Sequence, residues 1–331
     1  MRDPRSMAKI PPPFLPALKK FWAQEEFDPT GRSLLLAVSG GADSVALLEL
    51  FSREIAPRQK CRLYVIHVNH RLREAAGSDQ AFVEKLCRER KIPVHVETLN
   101  PSTRPPGQSV EMWGREKRYA AFARIRKAVG ADTVLTAHHR DDVVETLCLR
   151  LWRGTGLAGL AGIPFRRDEY VRPLLPVPRA ELRNWLAKWG ISWMEDETNE
   201  DLGIPRNWVR RRLLPEWRTS DPGVDRRLFQ ISRHADSLKP HWEKWMAESF
   251  PEEAVREKGG IPVEWFQDEL DADSLRRLLP MLGLEKPSPE IMAEILRQAA
   301  KPGGSVRIRI SPTLVLTEKH GILVLSRGTS T

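Results

Sequence analysis

The stretch Ser39-Gly40-Gly41-Ala42-Asp43-Ser44 decides how this chain of 331 residues is read. It sits between an apolar run of strand length at 34–38 and a segment at 43–55 whose Val45, Leu47, Leu48, Phe51 and Ile55 repeat at helical spacing. Two adjacent glycines allow a tight turn and let backbone approach a ligand without a Cβ in the way. The N–H groups of such a loop and of the helix that follows converge on one point, which suits a phosphate. Ser39 and Ser44 add hydroxyl donors, and Ala42 opens the helix. Asp43 would repel a phosphate unless a divalent cation lay between them, so it reads as a magnesium ligand or as a helix cap. The Lys-Ser/Thr ending of a Walker A loop is absent.

Outward from this loop the two periodicities keep alternating. Strand patterns recur at 63–68, 94–99 and 133–137, and helical patterns at 78–90, with Ser78 as a candidate cap, at 111–129, closed by Gly130, and at 141–152. Such alternation predicts βαβ units and a parallel, doubly wound sheet whose ligands bind beyond the carboxyl ends of the strands. After Trp152 the pattern changes. The glycine-rich stretch 154–162 reads as a fixed loop, 179–189 as an amphipathic helix ended by Gly190, and 194–205 as acidic and then loop-like. From about Glu216 the chain is mostly helical, with a helix start at Ser288-Pro289 and hairpins over 305–326. The predicted division is a larger domain over 1–215 and a smaller, mainly helical one over 216–331 that ends in β-hairpins.

Composition narrows the function classes. With 41% hydrophobic and 29% charged residues the chain is globular, and no apolar run reaches the ~20 residues that span a bilayer. The first residues lack a secretory apolar core. Cys61, Cys87 and Cys148 are scattered without a CxxC, which argues against a disulfide framework, a zinc ribbon or a cysteine-ligated cluster, and points to a reducing cytoplasm. A net charge of +9 favours an acidic partner such as nucleic acid.

Further strings follow in order: His67-Val68-Asn69-His70-Arg71-Leu72-Arg73; Glu111, Arg115, Arg118 and Tyr119 on one helix; Thr136-Ala137-His138-His139-Arg140-Asp141-Asp142-Val143-Val144-Glu145-Thr146; Arg153-Gly154-Thr155-Gly156-Leu157; Arg172-Pro173-Leu174-Leu175; Glu195-Asp196-Glu197-Thr198-Asn199; and Arg206-Asn207 with Arg210. His138, Asp142 and Glu145 are spaced i, i+4, i+7, so a helix would bring them toward one face. Carboxylates in such a place bind an ammonium or accept a proton from an amine, while Asp141 and Asp142 also suit the first turn of a helix dipole. Arg206, Arg210, Arg211 and Arg212 form a basic cluster around Trp208, which suits an RNA backbone with a base stacked on the indole.

The first string resembles the loop of the PP-loop ATP pyrophosphatase superfamily, whose fold is adenine nucleotide alpha hydrolase-like. All the strings together resemble the tRNA(Ile)-lysidine synthetase family, over about residues 34–215; residues 216–331 match only as a short form of the family's C-terminal region. The resemblance implies a cytoplasmic ligase that forms a C–N bond with ATP and Mg2+. ATP adenylates the C2 oxygen of the wobble cytidine in the CAU-anticodon isoleucine tRNA, releasing pyrophosphate. The ε-amine of L-lysine then attacks C2 and expels AMP, leaving lysidine. It also implies roles by position. Ser39, Gly40, Gly41, Ala42, Asp43, Ser44, His67, Arg71, Gly154 and Gly156 would hold the nucleotide, with Asp43 at the metal. His138, Asp142, Glu145, Arg118, Arg206 and Arg210 would serve lysine binding and catalysis, with His139 and Asp141 behind them. A PP-loop 2-thiocytidine synthetase and a non-catalytic RNA-binding protein are the competing expectations. The first would want paired cysteines and the second a decayed loop, and the chain shows neither.

Overall fold

The computed structural model describes residues 11–71, 76–195, 203–266, 272–284, 287–299, 306–311 and 314–327. By its contacts the chain divides into two compact units. The first comprises residues up to Val143 together with Pro164–Asn207, and the second Val144–Ile163 together with residues from Trp208 onward. The domain boundary expected near 215 falls inside the second unit, and 144–163 belong with that unit as well.

The first unit is built on a six-stranded sheet. Strands β1 (Ser33–Ala37), β2 (Arg62–Asn69), β3 (Val94–Thr98), β4 (Thr133–Leu135), β5 (Arg166–Arg167) and β6 (Tyr170–Val171) lie in the order β3-β2-β1-β4-β6-β5. The first five in that order run parallel, and β5 is an antiparallel edge. Leu34, Leu35 and Leu36 are each fully buried, as expected of a parallel strand covered on both faces. Leu35 packs with Ile66, Val134, Ala121 and Phe122 beneath helix Val110–Val129; alternation along the strand turns Leu34 and Leu36 to the other face. Ser109 caps that helix through Met112 N, and Gly130 ends it at φ +64°. Sequence order reverses between β1 and β4, so their carboxyl ends form the switch point of the sheet, where open α/β sheets place their ligands.

Several elements differ from expectation. The segment 43–55 is an α-helix, Ala42–Leu50, continued by a π-helical turn, Phe51–Ile55. Helix Ala76–Arg90 begins before Ser78, so Ser78 lies inside its first turn and is not the cap. The glycine-rich stretch after Trp152 contains a short helix, Leu157–Leu160. Helix Leu15–Gln24, preceded by three prolines, was not foreseen. It buries Leu15, Leu18 and Trp22, and the Trp22 indole N–H donates to Pro173 O at 2.8 Å.

In the second unit, helices including Val224–Ser249, Glu252–Lys258, Ala272–Leu278 and Pro289–Ala299 accompany an antiparallel sheet. Its strands β7 (Ile261–Pro262), β8 (Arg307–Ser311), β9 (Leu314–Lys319) and β10 (Ile322–Arg327) run in the order β7-β10-β9-β8. His320 and Gly321 both have positive φ (54° and 77°), the backbone of a tight hairpin turn. Met246, Leu278, Ile295, Leu316 and Leu323 belong to its core. Among the described residues no helix is long and apolar enough to cross a membrane.

Candidate active site

A cavity of about 590 Å³ opens in the first unit at the carboxyl ends of β1, β2 and β4. Ser39, Gly41, Asp43, Ser44, His67, Asn69, His70, Asp79, Arg118, Thr136, His138 and Asp142 are among its lining residues.

The glycine loop follows β1. Gly40 has φ +99°, a conformation open to glycine and strained for other residues, and its carbonyl accepts from Met194 N at 3.0 Å. Gly41 is the N-cap of helix Ala42–Leu50 through backbone geometry alone, so Asp43 stands in the first turn and does not cap it. The Ser44 hydroxyl ties the loop together: it accepts from Ser39 N at 3.1 Å and Gly40 N at 3.2 Å, and donates to Gly41 O at 2.9 Å. The first N–H groups of the helix have no partner within it, which makes the loop a seat for an anion.

Asp43 Oδ2 lies 3.4 Å from His139 Nε2 and 3.8 Å from Arg179 Nε, while Oδ1 is buried without a hydrogen-bond partner. Among the described residues no three His, Cys, Asp or Glu side chains converge as a metal cage. A magnesium ion bound with nucleotide phosphates needs only one or two carboxylates and keeps several waters. The orphan Oδ1 fits that demand.

β2 carries His67 near its end, and His70 follows it directly. His67 Nδ1 lies 2.9 Å from Val38 O, which makes Nδ1–H the donor and leaves Nε2, buried and unpartnered, as an acceptor. Burial lowers the pKa of both imidazoles, and for His70 the Arg118 charge adds to it. Burial also lowers the Arg118 pKa, and among the described residues no carboxylate is ion-paired with its guanidinium. Arg71 has a left-handed backbone (φ +51°) and its N–H donates to Asn69 Oδ1 at 3.0 Å; Arg71 is exposed. Leu72 and Arg73 lie outside the described residues, as do Asp196, Glu197, Thr198 and Asn199.

Helix Arg140–Trp152 follows β4, so His138 precedes it and is not on its face. The spacing i, i+4, i+7 therefore does not describe one helical row. His138 is held by Thr136, whose Oγ1 lies 2.9 Å from its Nδ1. Burial drives the His138 imidazole down to about 4, against the pull of Asp142, so it is neutral near pH 7. Asp142, at the third helical position, reaches back so that its Oδ2 accepts from His139 N at 3.0 Å, half of a capping box. Its Oδ1 accepts from Arg206 Nη2 at 2.8 Å. Burial opposes the Asp142 charge, but His139, His138 and Arg206 outweigh it and hold the carboxyl at about 2. For His139 burial favours the neutral ring, yet Asp142, Asp43 and Asp141 hold its pKa above the ordinary value. Asp141 Oδ2 accepts from Arg179 N at 2.8 Å and so closes the start of helix Arg179–Lys188.

The remaining expected residues belong to the second unit. Glu145 is 2% exposed and bonded by Arg210 through two contacts, Nε to Oε1 at 2.6 Å and Nη2 to Oε2 at 3.0 Å. Gly154 has φ +74°, and Gly156 caps helix Leu157–Leu160. Val209 and Leu214, flanking Arg210–Arg212, pack with Val144 and Cys148. The first unit thus gathers the glycine loop, His67, Arg118, His138, Asp142 and Arg206; Glu145, Arg210, Gly154 and Gly156 are placed by the other unit's contacts. Sequence reading passed over Thr136 and Asn69 as site residues, although both stand at the carboxyl ends of strands where site residues cluster. It passed over Asp79 entirely, which carried no motif signal.

The chain is similar to known proteins. A model of the PP-loop domain matches residues 15–217. The tRNA(Ile)-lysidine synthase of Thermotoga sp. (strain RQ2) is 38% identical over 203 residues, which cover 61% of this chain and 49% of that protein. That of Chlorobaculum tepidum is 39% identical over 214 residues, 63% of this chain and 64% of the relative. The chain spans about half the length of the Thermotoga relative. Among solved structures, the U34-tRNA thiolase NcsA from Methanococcus maripaludis, described with its 4Fe-4S cluster, shares the fold with a TM-score of 0.56 at 17% identity, covering 69% of this chain and 79% of its own.

Proposed function

This chain belongs to the PP-loop domain family, and we propose that it is a lysidine-forming enzyme: it adenylates the C2 oxygen of the wobble cytidine in a CAU-anticodon isoleucine tRNA and lets the lysine ε-amine displace AMP. The observation that carries this reading is one cavity onto which the glycine loop, His67, Arg118, His138 and Asp142 converge, in a stretch 38% identical to a lysidine synthase.

The residues divide the work by their charge states. The glycine loop and the start of helix Ala42–Leu50 receive the phosphates, with Ser44 fixing the loop's shape. Magnesium, when bound, neutralises phosphate charge, and Asp43 Oδ1 would hold it. The His67 Nε2 acceptor suits a ligand N–H or O–H, such as the adenine amine or a ribose hydroxyl. Arg118 supplies a desolvated cation for the phosphate or the pyrimidine oxygen. Asp142, ionised and balanced by Arg206, keeps lone pairs for the ammonium of lysine, while the neutral His138 leaves the ε-amine room to lose its proton without facing a second cation.

Thiolation chemistry fits poorly. Burial pushes the Cys87 thiol up to about 12 and the Cys148 thiol up to about 11, the opposite of a reactive thiolate. The reading is tested by incubating the protein with ATP labelled at the α-phosphate and the tRNA transcript, without lysine. Labelled AMP should accumulate on the RNA; a transcript that binds but never carries label would exclude the adenylation step.

A further inference from the structure

We propose that Trp152 and Trp208 form a stacking platform for an unpaired nucleotide of the tRNA, a proposal that rests on tRNA being the substrate. Both residues belong to the second unit. Their ring centroids are 5.0 Å apart at an interplanar angle of 46°. Trp152 is 62% exposed and Trp208 37%, with Leu151 beside them 49% exposed. Large indoles are normally buried over most of their surface, so a touching pair left this open is a surface shaped for a flat partner.

The pair is built on rigid supports. Val144 and Cys148, earlier on the helix that ends with Trp152, pack with Val209 and Leu214, which follow Trp208. The ion pair between the buried Glu145 and the partly exposed Arg210 joins the same two segments. Beyond Trp152, Arg150 Nη1 donates to Gly159 O at 2.5 Å and fixes the turn after the helix. The two segments that carry the rings are therefore joined to each other before any partner arrives.

Charge identifies the partner. Arg153 follows Trp152 directly, and Arg211 and Arg212 lie within one turn of Trp208 along the π-helical segment Val209–Leu213; all three are exposed. Aromatic faces flanked by arginines suit single-stranded nucleic acid, in which bases stack on the rings and phosphates meet the guanidinium groups. An apolar protein partner would leave three arginines to be desolvated at the edge of the contact.

The test measures binding of a fluorescent isoleucine tRNA transcript, and of an RNA duplex without unpaired nucleotides, by the chain of 331 residues. Trp152→Ala removes the more exposed ring, where truncation leaves no core cavity; circular dichroism checks the fold. Loss of one stacked base should weaken tRNA binding about 5- to 150-fold. Trp152→Phe should restore most of the loss. The salt dependence should not change, because the missing side chain is neutral, and the duplex should bind as before. Wild-type affinity in Trp152→Ala would overturn the platform, as would equal weakening on the duplex. Self-association that depends on Trp152 with unaltered RNA binding would assign the surface to a second copy and overturn it too. Lysine transfer, measured on the same wild-type preparation, separates the two claims: no transfer with Trp-dependent loop binding removes the lysidine reading and leaves the platform standing.

Discussion

Asp142→Asn isolates the most perturbed carboxylate of the site. In the folded protein its pKa falls from 3.8 to about 2, because His139, His138 and Arg206 together outweigh the cost of burial. That difference corresponds to about 2 kcal/mol of stability. The folded value lies below the unfolded one, so the carboxylate stabilises the fold above pH ~4. That contribution disappears as the pH falls from about 4 to about 2. At pH 7 the amide should lower Tm by about 4–8 °C for a unit of this size. The gap between the two proteins should stay constant down to pH ~5 and close below it. Thermal melts of wild type and variant across pH 2–8 read this directly. The variant should still adenylate tRNA but require much more lysine for transfer. Equal stability at pH 7, or a gap that persists at pH 2, would refute the account of how Arg206 and His139 hold Asp142.

Asp43→Ala should abolish most pyrophosphate release while the protein stays folded, since Gly41 caps the helix without it; undiminished release would remove Asp43 from the metal. Glu145→Gln should destabilise the second unit by about 2 kcal/mol, the cost of exchanging two charge-assisted hydrogen bonds from Arg210 for neutral ones, and a melt identical to wild type would contradict that. Replacing Arg211 and Arg212 by Ala should weaken tRNA binding and flatten its salt dependence by about 0.7 log units per log salt for each single-strand phosphate no longer neutralised. ATP binding should not change, and an unaltered slope would show that these side chains only solvate a surface.

The parallel sheet was legible because β1, β2, β3 and β4 each lie in a short apolar run beside a helix-period segment, and Leu34, Leu35 and Leu36 are buried, as their sequence implies. The glycine loop was legible because the whole six-residue string Ser39–Ser44 stands between a strand pattern and a helix pattern. Helix Leu15–Gln24 was hidden because Pro11, Pro12 and Pro13 precede it and signal a loop. The edge hairpin of β5 and β6 has two-residue strands, too short for any period. The site was legible as a set of strings and not as a grouping. The i, i+4, i+7 spacing took His138 into a helix that starts two residues later. Reading the arginines as RNA contacts missed that Arg206 and Arg210 each bind a carboxylate from the helix between β4 and the glycine stretch. Such pairings join residues 64 and 65 positions apart, and no local pattern encodes them.

The central claim is tested most directly by mixing the protein with ATP, labelled L-lysine and isoleucine tRNA transcripts bearing a CAU anticodon, and asking whether the label enters RNA. The account predicts incorporation at the wobble cytidine, dependent on ATP, with one AMP and one pyrophosphate released per lysine. A protein that binds the transcript and cleaves ATP, yet leaves every lysine unattached, would contradict it.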